Sequence, residues 1–143
     1  MKRLKIRKAK ISDIPRLIKL CYNVKEIRDY SGMKYDRKYF LSYLTVKNRV
    51  VCICEIDGKL AGAMNVEFNP GVYTFLNNIV VNKKFRGKGA GGALLKHLER
   101  ESKKTHAKAV MFLVYGWNKN MRKIVEHYNY KHGKELYIYS KKL

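Results

Sequence analysis

Acidic residues are scarce in this chain, which has 11 Asp and Glu against 32 Lys and Arg and a formal net charge of +21 at pH 7. A surface with this excess attracts polyanions such as phosphorylated ligands, nucleic acids, acidic protein faces and anionic membranes, and charge alone does not choose among them. The same field disfavours polycationic ligands unless a local acidic pocket opposes it.

Long apolar runs and cysteines are also scarce. No stretch of about 18 apolar residues predicts a membrane helix, and the first residues, MKRLKI, lack the apolar run of a signal peptide. We therefore expect a cytoplasmic protein. Cys21 stands alone, and Cys52 and Cys54 lie two apart on one face of a predicted strand. That spacing suits neither a disulfide nor a zinc site, so it predicts buried reduced thiols.

The remaining composition is that of a packed globular protein, with 46% hydrophobic and 12% aromatic residues. The chain has 143 residues, and a chain of this length buries roughly two-thirds of its unfolded surface around a single core. It contains no repeat, low-complexity tract or linker. We expect one domain, residues 1–143.

Hydrophobic periodicity predicts the element order βα(α)βββαβαβ. An antiparallel first half joined to a βαβ unit indicates the α/β (α+β) class, with a mixed, mostly antiparallel central sheet of six to seven strands and about four helices. The predicted strands are Leu4–Arg7, Val50–Ile56, Leu60–Phe68, Val72–Val81, Ala109–Val114 and Leu136–Ser140; the predicted helices are Ile14–Cys21, Tyr35–Val46, a segment that follows the loop 82–92, and Asn118–Tyr128.

The most informative segment is the loop after Val81, where four glycines fall within six residues, 87–92. Glycine lets backbone amides point into one concavity, and the helix that follows adds its unpaired amides and positive dipole end. Arg86 and Lys88 bring side-chain charge to the same place. The loop therefore predicts a pyrophosphate site, and a glycine-rich turn without a ligand is the alternative.

Two nucleotide motifs share this physics but fail on spacing. A Walker loop requires Gly-Lys-Ser or Gly-Lys-Thr, which is absent. Gly87, Gly89 and Gly92 match the dinucleotide pattern, but five residues separate Val81 from the first glycine. No carboxylate follows the next strand to bind a ribose, so a dinucleotide-dependent oxidoreductase is disfavoured.

The loop resembles the signature of the GNAT superfamily of N-acetyltransferases, an Arg or Gln, two residues, Gly, one residue, then Gly or Ala. Arg86, Gly89 and Gly91 match it. The strand–loop–helix order is similar over nearly the whole chain. The resemblance implies acetyl-coenzyme A as co-substrate and direct transfer of its acetyl group to a primary amine. It implies pantetheine pairing with the backbone of Ile79, Val80 and Val81, and pyrophosphate binding by Arg86, Gly87, Lys88, Gly89, Ala90, Gly91 and Gly92.

The family's last motif is an Asn that opens a helix, followed seven residues later by a Tyr that protonates the departing thiolate. Asn118 matches the Asn and is assigned to the cofactor site by resemblance. The Tyr position holds Val125, which donates no proton. Tyr128, about one helical turn further on, is the substitute candidate, with a packing tyrosine as the alternative.

Residues on the side of the site that binds the acceptor amine are predicted from their positions in the predicted elements. Glu67, near the end of a strand, is the candidate general base, and a solvated strand-end glutamate is the alternative. No histidine has a spaced partner, so we expect no metal. The charge favours a protein or peptide amine near acidic residues. Tyrosines suggest an aromatic lining of the acceptor cleft or, alternatively, helix packing: Tyr22, Tyr30, Tyr35, Tyr39 and Tyr43.

The alternative function is a catalytically weak protein on the same fold that binds coenzyme A and nucleic acid or a regulatory partner. A salt-dependent affinity for polynucleotide without turnover would distinguish it from the enzyme. The oligomeric state expected from the sequence is a monomer or a homodimer.

Overall fold

The computed structural model describes residues 2–22, 24–27, 33–135 and 137–143. Nine regular elements follow one another in these ranges: β1 (Leu4–Lys8), α1 (Ile14–Cys21), α2 (Arg37–Thr45), β2 (Arg49–Ile56), β3 (Lys59–Asn69), β4 (Tyr73–Val81), α3 (Ala90–Lys104), β5 (Ala109–Met111) and α4 (Lys119–His127). Single turns of 3-10 helix lie at Ile11–Asp13, Lys25–Ile27 and Lys83–Phe85.

The sheet has five strands in the order β1-β2-β3-β4-β5. The first three pairings are antiparallel and β4 pairs with β5 in parallel. The mixed, mostly antiparallel α/β architecture with four helices is therefore confirmed. The expected six to seven strands are wrong for the part of the chain that is described.

The difference lies in the last third of the chain. β5 has three residues, Ala109–Met111, although the apolar run continues to Val114. Residues 137–140 of the predicted last strand are not in a strand, and Leu136 lies outside the described residues, as does Tyr30. Apolar runs report burial and not pairing, so they do not say where a ladder ends.

Two apolar clusters cover the two faces of the sheet. α3 packs Leu94, Leu95 and Leu98 on one face, against side chains from β2, β3 and β4. α1 and α2 pack on the other face, around Leu17 and Phe40. The three cysteines are free and buried within these clusters, in agreement with the expected reduced thiols.

A four-membered ion network joins β1, α1 and β2. The Asp13 carboxylate lies 2.8 Å from the Arg7 guanidinium and 2.5 Å from that of Arg16. Both arginines also contact Glu55, at 3.2 and 2.7 Å. Hydrogen bonds from Arg7 lower the pKa of Asp13, and hydrogen bonds from Arg16 lower that of Glu55, so both acids stay ionised at neutral pH.

Candidate active site

Two glycines in the loop before α3 have left-handed backbone conformations. Gly87 and Gly89 have φ of 73° and 86°, in the region that favours glycine, and Gly89 is the N-cap of the helix. The first backbone bond of α3 runs from the Ala93 amide to the Gly89 carbonyl, at 3.0 Å. The amides of residues 90–92 precede it and have no acceptor within the helix. The start of α3 thus presents amide donors and the positive end of its dipole.

Two of the cations of the loop, Arg86 and Lys88, contact neighbouring residues. The Arg86 Nε donates to the Val81 carbonyl at 3.4 Å, which places the guanidinium beside the end of β4. The Lys88 ammonium lies 5.3 Å from the centre of the Phe85 ring. Both cations belong to the segment that leads into the N-terminus of α3. The helix starts at Ala90, earlier than the predicted loop 82–92 allows, because Gly91 and Gly92 are helical.

The edge of β4 that faces β5 is paired over only part of its length. β5 pairs with Tyr73–Phe75, and among the described strands none pairs with that edge from Leu76 onward. The Asn82 amide donates to the Ala61 carbonyl at 2.8 Å, on the β3 side. Antiparallel bonding alternates, so the peptide groups of Val80 also face β3, while those of Ile79 and Val81 point to the open edge.

β4 carries a bulge where its partner strand changes register. Asn65 opposes Asn78, but the next residue of β3, Val66, opposes Leu76. Asn77 is therefore the extra residue. A bulge of this kind bends the strand and re-aims its side chains, and it occurs often beside active sites. Asn77 is exposed, whereas Asn78 is 9% exposed.

A cleft of about 470 Å³ contains both the bulge and the predicted general base, and it is lined by Glu67, Phe68, Asn69, Tyr73, Phe75 and Asn77. Glu67 lies opposite Phe75 in the register. Its carboxylate accepts a hydrogen bond from the Tyr43 hydroxyl at 3.2 Å and lies 3.5 Å from Nε of Arg49. The Glu67 side chain is 42% exposed. It is therefore open to the cleft while Tyr43 and Arg49 fix its carboxylate.

A buried polar cluster adjoins this cleft. The Tyr39 hydroxyl accepts hydrogen bonds from Nδ2 of Asn65 at 2.8 Å and from Nδ2 of Asn78 at 3.3 Å. Burial raises the pKa of Tyr39 and of Tyr43, so both remain neutral hydroxyls. Sequence reasoning missed Asn65 and Asn78. Their one signal is that each is an amide side chain in the interior of a mostly apolar strand.

The residues of α4 follow the motif they resemble at Asn118 and depart from it at the tyrosine position. Asn118 is the N-cap, and its Oδ1 accepts from the Met121 amide at 3.1 Å. Val125 is buried. Tyr128 is the C-cap, and its hydroxyl contacts Gly92 in the first turn of α3. The structure therefore brings Tyr128 to the glycine loop, whereas the cleft with Glu67 contains the bulge of β4.

Two features are absent from the described part of the chain. Within residues 2–22, 24–27, 33–135 and 137–143, no group of three or more His, Cys, Asp and Glu side chains is arranged to hold a metal ion. In the same ranges, no helix combines the length and the hydropathy needed to cross a membrane.

The profile of the acetyltransferase (GNAT) family matches residues 14–130. A comparison with curated proteins finds no match.

Solved structures share the fold at low identity. An aminoglycoside N-acetyltransferase, AAC(6')-Iy in complex with CoA, is 16% identical with a TM-score of 0.82, over 100% of this chain and 97% of that one. A ribosomal-protein-alanine N-acetyltransferase from Brucella melitensis biovar Abortus 2308 is 17% identical with a TM-score of 0.79, over 96% and 99%. A transcriptional regulator from Bacillus halodurans C-125 is 15% identical with a TM-score of 0.77, over 95% and 100%.

Proposed function

We propose that this chain, which belongs to the GNAT family of acetyltransferases, moves an acetyl group from acetyl-coenzyme A to a primary amine of a protein or peptide, in a ternary complex. One observation supports the proposal above the others. The open edge of β4 runs directly into the glycine loop and the N-terminus of α3, so an extended chain and a diphosphate can be bound end to end.

The residues present fit the cofactor. The peptide groups of Ile79 and Val81 point to the open edge of β4 and would bind the pantetheine arm as an added strand, while Val80 keeps its bonds to β3. The Val81 carbonyl already accepts from Nε of Arg86, so it would share this bond with the cofactor. The amides from Gly87 to Gly92, with the charges of Arg86 and Lys88, would hold the pyrophosphate. Apart from the chain neighbours, no heavy atom lies within 4 Å of a Cβ placed on Gly87 or Gly89, which leaves room for a ligand. The cofactor supplies the activated thioester.

The acceptor amine would reach the thioester at the bulge of β4, from the cleft that Glu67 lines. An amine must lose a proton before it attacks, and Glu67 is the carboxylate of this cleft. Holding the amine and the thioester together supplies much of the rate, because it converts a bimolecular step into a unimolecular one. Tyr128 lies over the first turn of α3, so we assign it to packing and not to protonation of the thiolate.

The acceptor class follows from charge. With 32 Lys and Arg against 11 Asp and Glu, the field of the protein repels polycations, and the described lining of the cleft contains a single carboxylate. An N-terminal amine or a lysine within an acidic sequence fits this field. The known structures of this fold include enzymes for both aminoglycosides and ribosomal proteins, and charge favours the protein class for this chain.

The first test is calorimetric titration with acetyl-coenzyme A and, separately, with NADH, in moderate salt. Saturable one-to-one binding of acetyl-coenzyme A alone is expected. Release of free thiol is then followed with three acceptors: an acidic peptide with a free N-terminus, an acidic peptide with a blocked N-terminus and one lysine, and the aminoglycoside kanamycin. Preference for kanamycin over both peptides would contradict the protein class of acceptor.

A second candidate function is the catalytically weak coenzyme A-binding protein that also binds nucleic acid. Val125, buried where the family has its tyrosine, is the observation that favours it. Binding of acetyl-coenzyme A without thiol release, together with affinity for single-stranded RNA that falls steeply with salt, would support this function in place of the enzyme.

A further inference from the structure

An apolar surface continues from the cleft of Glu67 across the end of the sheet. In the register of the strands, Glu67 of β3 pairs with Phe75 of β4, and Phe75 pairs with Met111 of β5. Tyr73 pairs in the same way with Ala109. Residues that pair directly point to the same face of a sheet. Glu67, Phe75 and Met111 therefore form one row across three strands, and Tyr73 and Ala109 belong to the row beside it.

The neighbours of Met111 show which face of the sheet this is. Val110 and Phe112, which alternate with Met111, pack against the apolar cluster under α3. Met111 therefore points to the opposite face, where α1 and α2 cover side chains of β2, β3 and β4. Among the described residues, the cluster under α1 and α2 contains none from β5 and neither Tyr73 nor Phe75. The two helices thus stop short of the end of the sheet that β5 forms.

Solvent reaches this uncovered surface, which we call the apolar patch and define as Tyr73, Phe75 and Met111. Tyr73 is 37% exposed, Met111 is 50% exposed, and Phe75 is half-buried. Single exposed apolar residues are normal, whereas contiguous ones that are rimmed by polar groups are typical of ligand-binding grooves. Tyr73 and Phe75 also line the cleft that contains Glu67, so the apolar patch and the cleft form one surface.

The size and the charge of this surface indicate a peptide as its occupant. Three partly exposed side chains are far below the roughly 800 Å² per partner that a stable protein interface buries, which disfavours a second copy of the chain. The Glu67 carboxylate at one end attracts an ammonium group. Arg49 pairs with Glu67 on the side away from the apolar patch, and its Nε lies 3.5 Å from the carboxylate. Because Arg49 repels a cation on that side, the rest of the ligand extends toward Phe75.

The spacing of the strands sets the length of the ligand. Neighbouring strands lie about 4.8 Å apart, so Phe75 is one strand from Glu67 and Met111 is roughly 10 Å from it. Consecutive Cα atoms of a peptide are about 3.8 Å apart. An N-terminal amine beside Glu67 therefore places the first two side chains of its peptide over Phe75 and Met111. A lysine amine stands at the end of a four-carbon stem, which keeps the neighbouring side chains farther away.

We propose that the acceptor is the N-terminal amine of a peptide whose first two residues carry large apolar side chains that bind to the apolar patch, an inference that rests on the proposed acetyl transfer. The amine lies beside Glu67, and side chains of the size of leucine, methionine or phenylalanine cover Tyr73, Phe75 and Met111. These contacts are equal in the ground state and the transition state, so the apolar patch selects its acceptor through KM.

The test compares two acidic peptides that differ only in their first two residues, which are two leucines or two serines. Thiol release with acetyl-coenzyme A gives kcat and KM for each. We expect kcat/KM to be about ten- to a hundredfold higher for the leucine peptide, mainly through a lower KM, because its side chains leave water. A third peptide has the same two leucines, a blocked N-terminus and one lysine, and it should react more slowly than the leucine peptide.

Met111→Gln tests the apolar patch itself, because glutamine keeps the length of the side chain and makes its end polar. The preference for the leucine peptide should fall about three- to tenfold. Ile11→Gln is the matched control, since Ile11 is 55% exposed and lies in the turn after β1, at the opposite edge of the sheet. It should keep the wild-type preference. Titration with acetyl-coenzyme A reports whether each variant is folded, and Tyr73→Ser replaces Met111→Gln if the latter does not bind.

Several results would overturn the inference. Equal kcat/KM for the leucine and serine peptides, in an active wild-type protein, contradicts the apolar patch and leaves the proposed acetyl transfer standing. A preference that survives Met111→Gln, or a faster reaction of the blocked lysine peptide, has the same meaning. A dimer that Met111→Gln converts to a monomer in sedimentation would assign the surface to a second copy. If the wild-type protein transfers acetyl to neither peptides nor kanamycin, the proposed function fails, and this inference fails with it.

Discussion

The hydroxyl of Tyr128 packs directly on the backbone of Gly92, in the first turn of α3. A Cβ placed on Gly92 would meet the Tyr128 hydroxyl and lie 2.8 Å from its Cζ, closer than real Cβ atoms approach. The neighbouring Gly91 has room, since its Cβ would lie 3.6 Å from Val81 Cγ2. Alanine would therefore fit at Gly91, whereas at Gly92 it would require Tyr128 to move.

Gly92→Ala should destabilise the protein by about 1–3 kcal/mol, because overpacking outweighs the gain in helix propensity. Gly91→Ala should instead leave the free energy of unfolding unchanged or raise it by up to about 1 kcal/mol. Urea unfolding measures both. Adding Tyr128→Ala to Gly92→Ala should remove the clash. If Gly92→Ala costs as much in the Tyr128→Ala background as in the wild-type protein, this packing is contradicted.

Arg86→Glu should weaken the binding of acetyl-coenzyme A by about 1.5–3 kcal/mol or more, because a charge-assisted contact is replaced by repulsion. Calorimetric titration measures the change. Lys141→Glu, at an exposed residue near the C-terminus, alters the net charge equally and is the matched control. Equal losses in the two variants would mean that the mean field, and not the loop, attracts the cofactor.

Acid should destabilise the protein through Asp13 and Glu55. Their pKa values are lowered by the arginines, so the folded state binds fewer protons than the unfolded chain. The stabilisation is present above the unfolded pKa values of about 3.9 and 4.3, and it is lost as pH falls through the lower folded values. Unfolding curves between pH 2 and 7 measure this slope.

Asp13→Asn should lower the free energy of unfolding at pH 7 by about 1–3 kcal/mol, because it removes the buried charge that both arginines contact and leaves them with Glu55. It should also flatten the acid dependence. Glu126→Gln, at an exposed residue of α4, is the control. A variant that keeps the wild-type slope would show that other carboxylates carry the acid sensitivity.

The three cysteines should be unreactive in the native protein. Burial raises the pKa of Cys21 to about 12 and that of Cys52 to about 11, and it also raises that of Cys54. Little thiolate is then present at pH 8. Dithiobis-nitrobenzoate should label none of them within minutes at pH 8, and all three in guanidinium. Rapid labelling of the native protein would contradict the burial.

Much of the fold could be predicted because it depends on local pattern. The predicted helix Ile14–Cys21 has the observed bounds of α1, and the four strands of the antiparallel pairings, β1 to β4, are placed within one residue at each end. Periodicity specifies these elements through their buried faces. The end of β5 and the segment from residue 137 to 140 could not be predicted in this way, because strand pairing requires a partner.

In the candidate site, too, local features could be predicted and contacts between elements could not. By itself the sequence determined the glycine loop, its charges and the helix that follows, because glycine conformation and helix-end dipoles are local properties of neighbouring residues. Only the tertiary structure decided that Asn77 is a bulge, that Tyr39 meets Asn65 and Asn78, and that Tyr128 contacts Gly92. These contacts join residues from different elements, and register, packing and helix orientation bring them together.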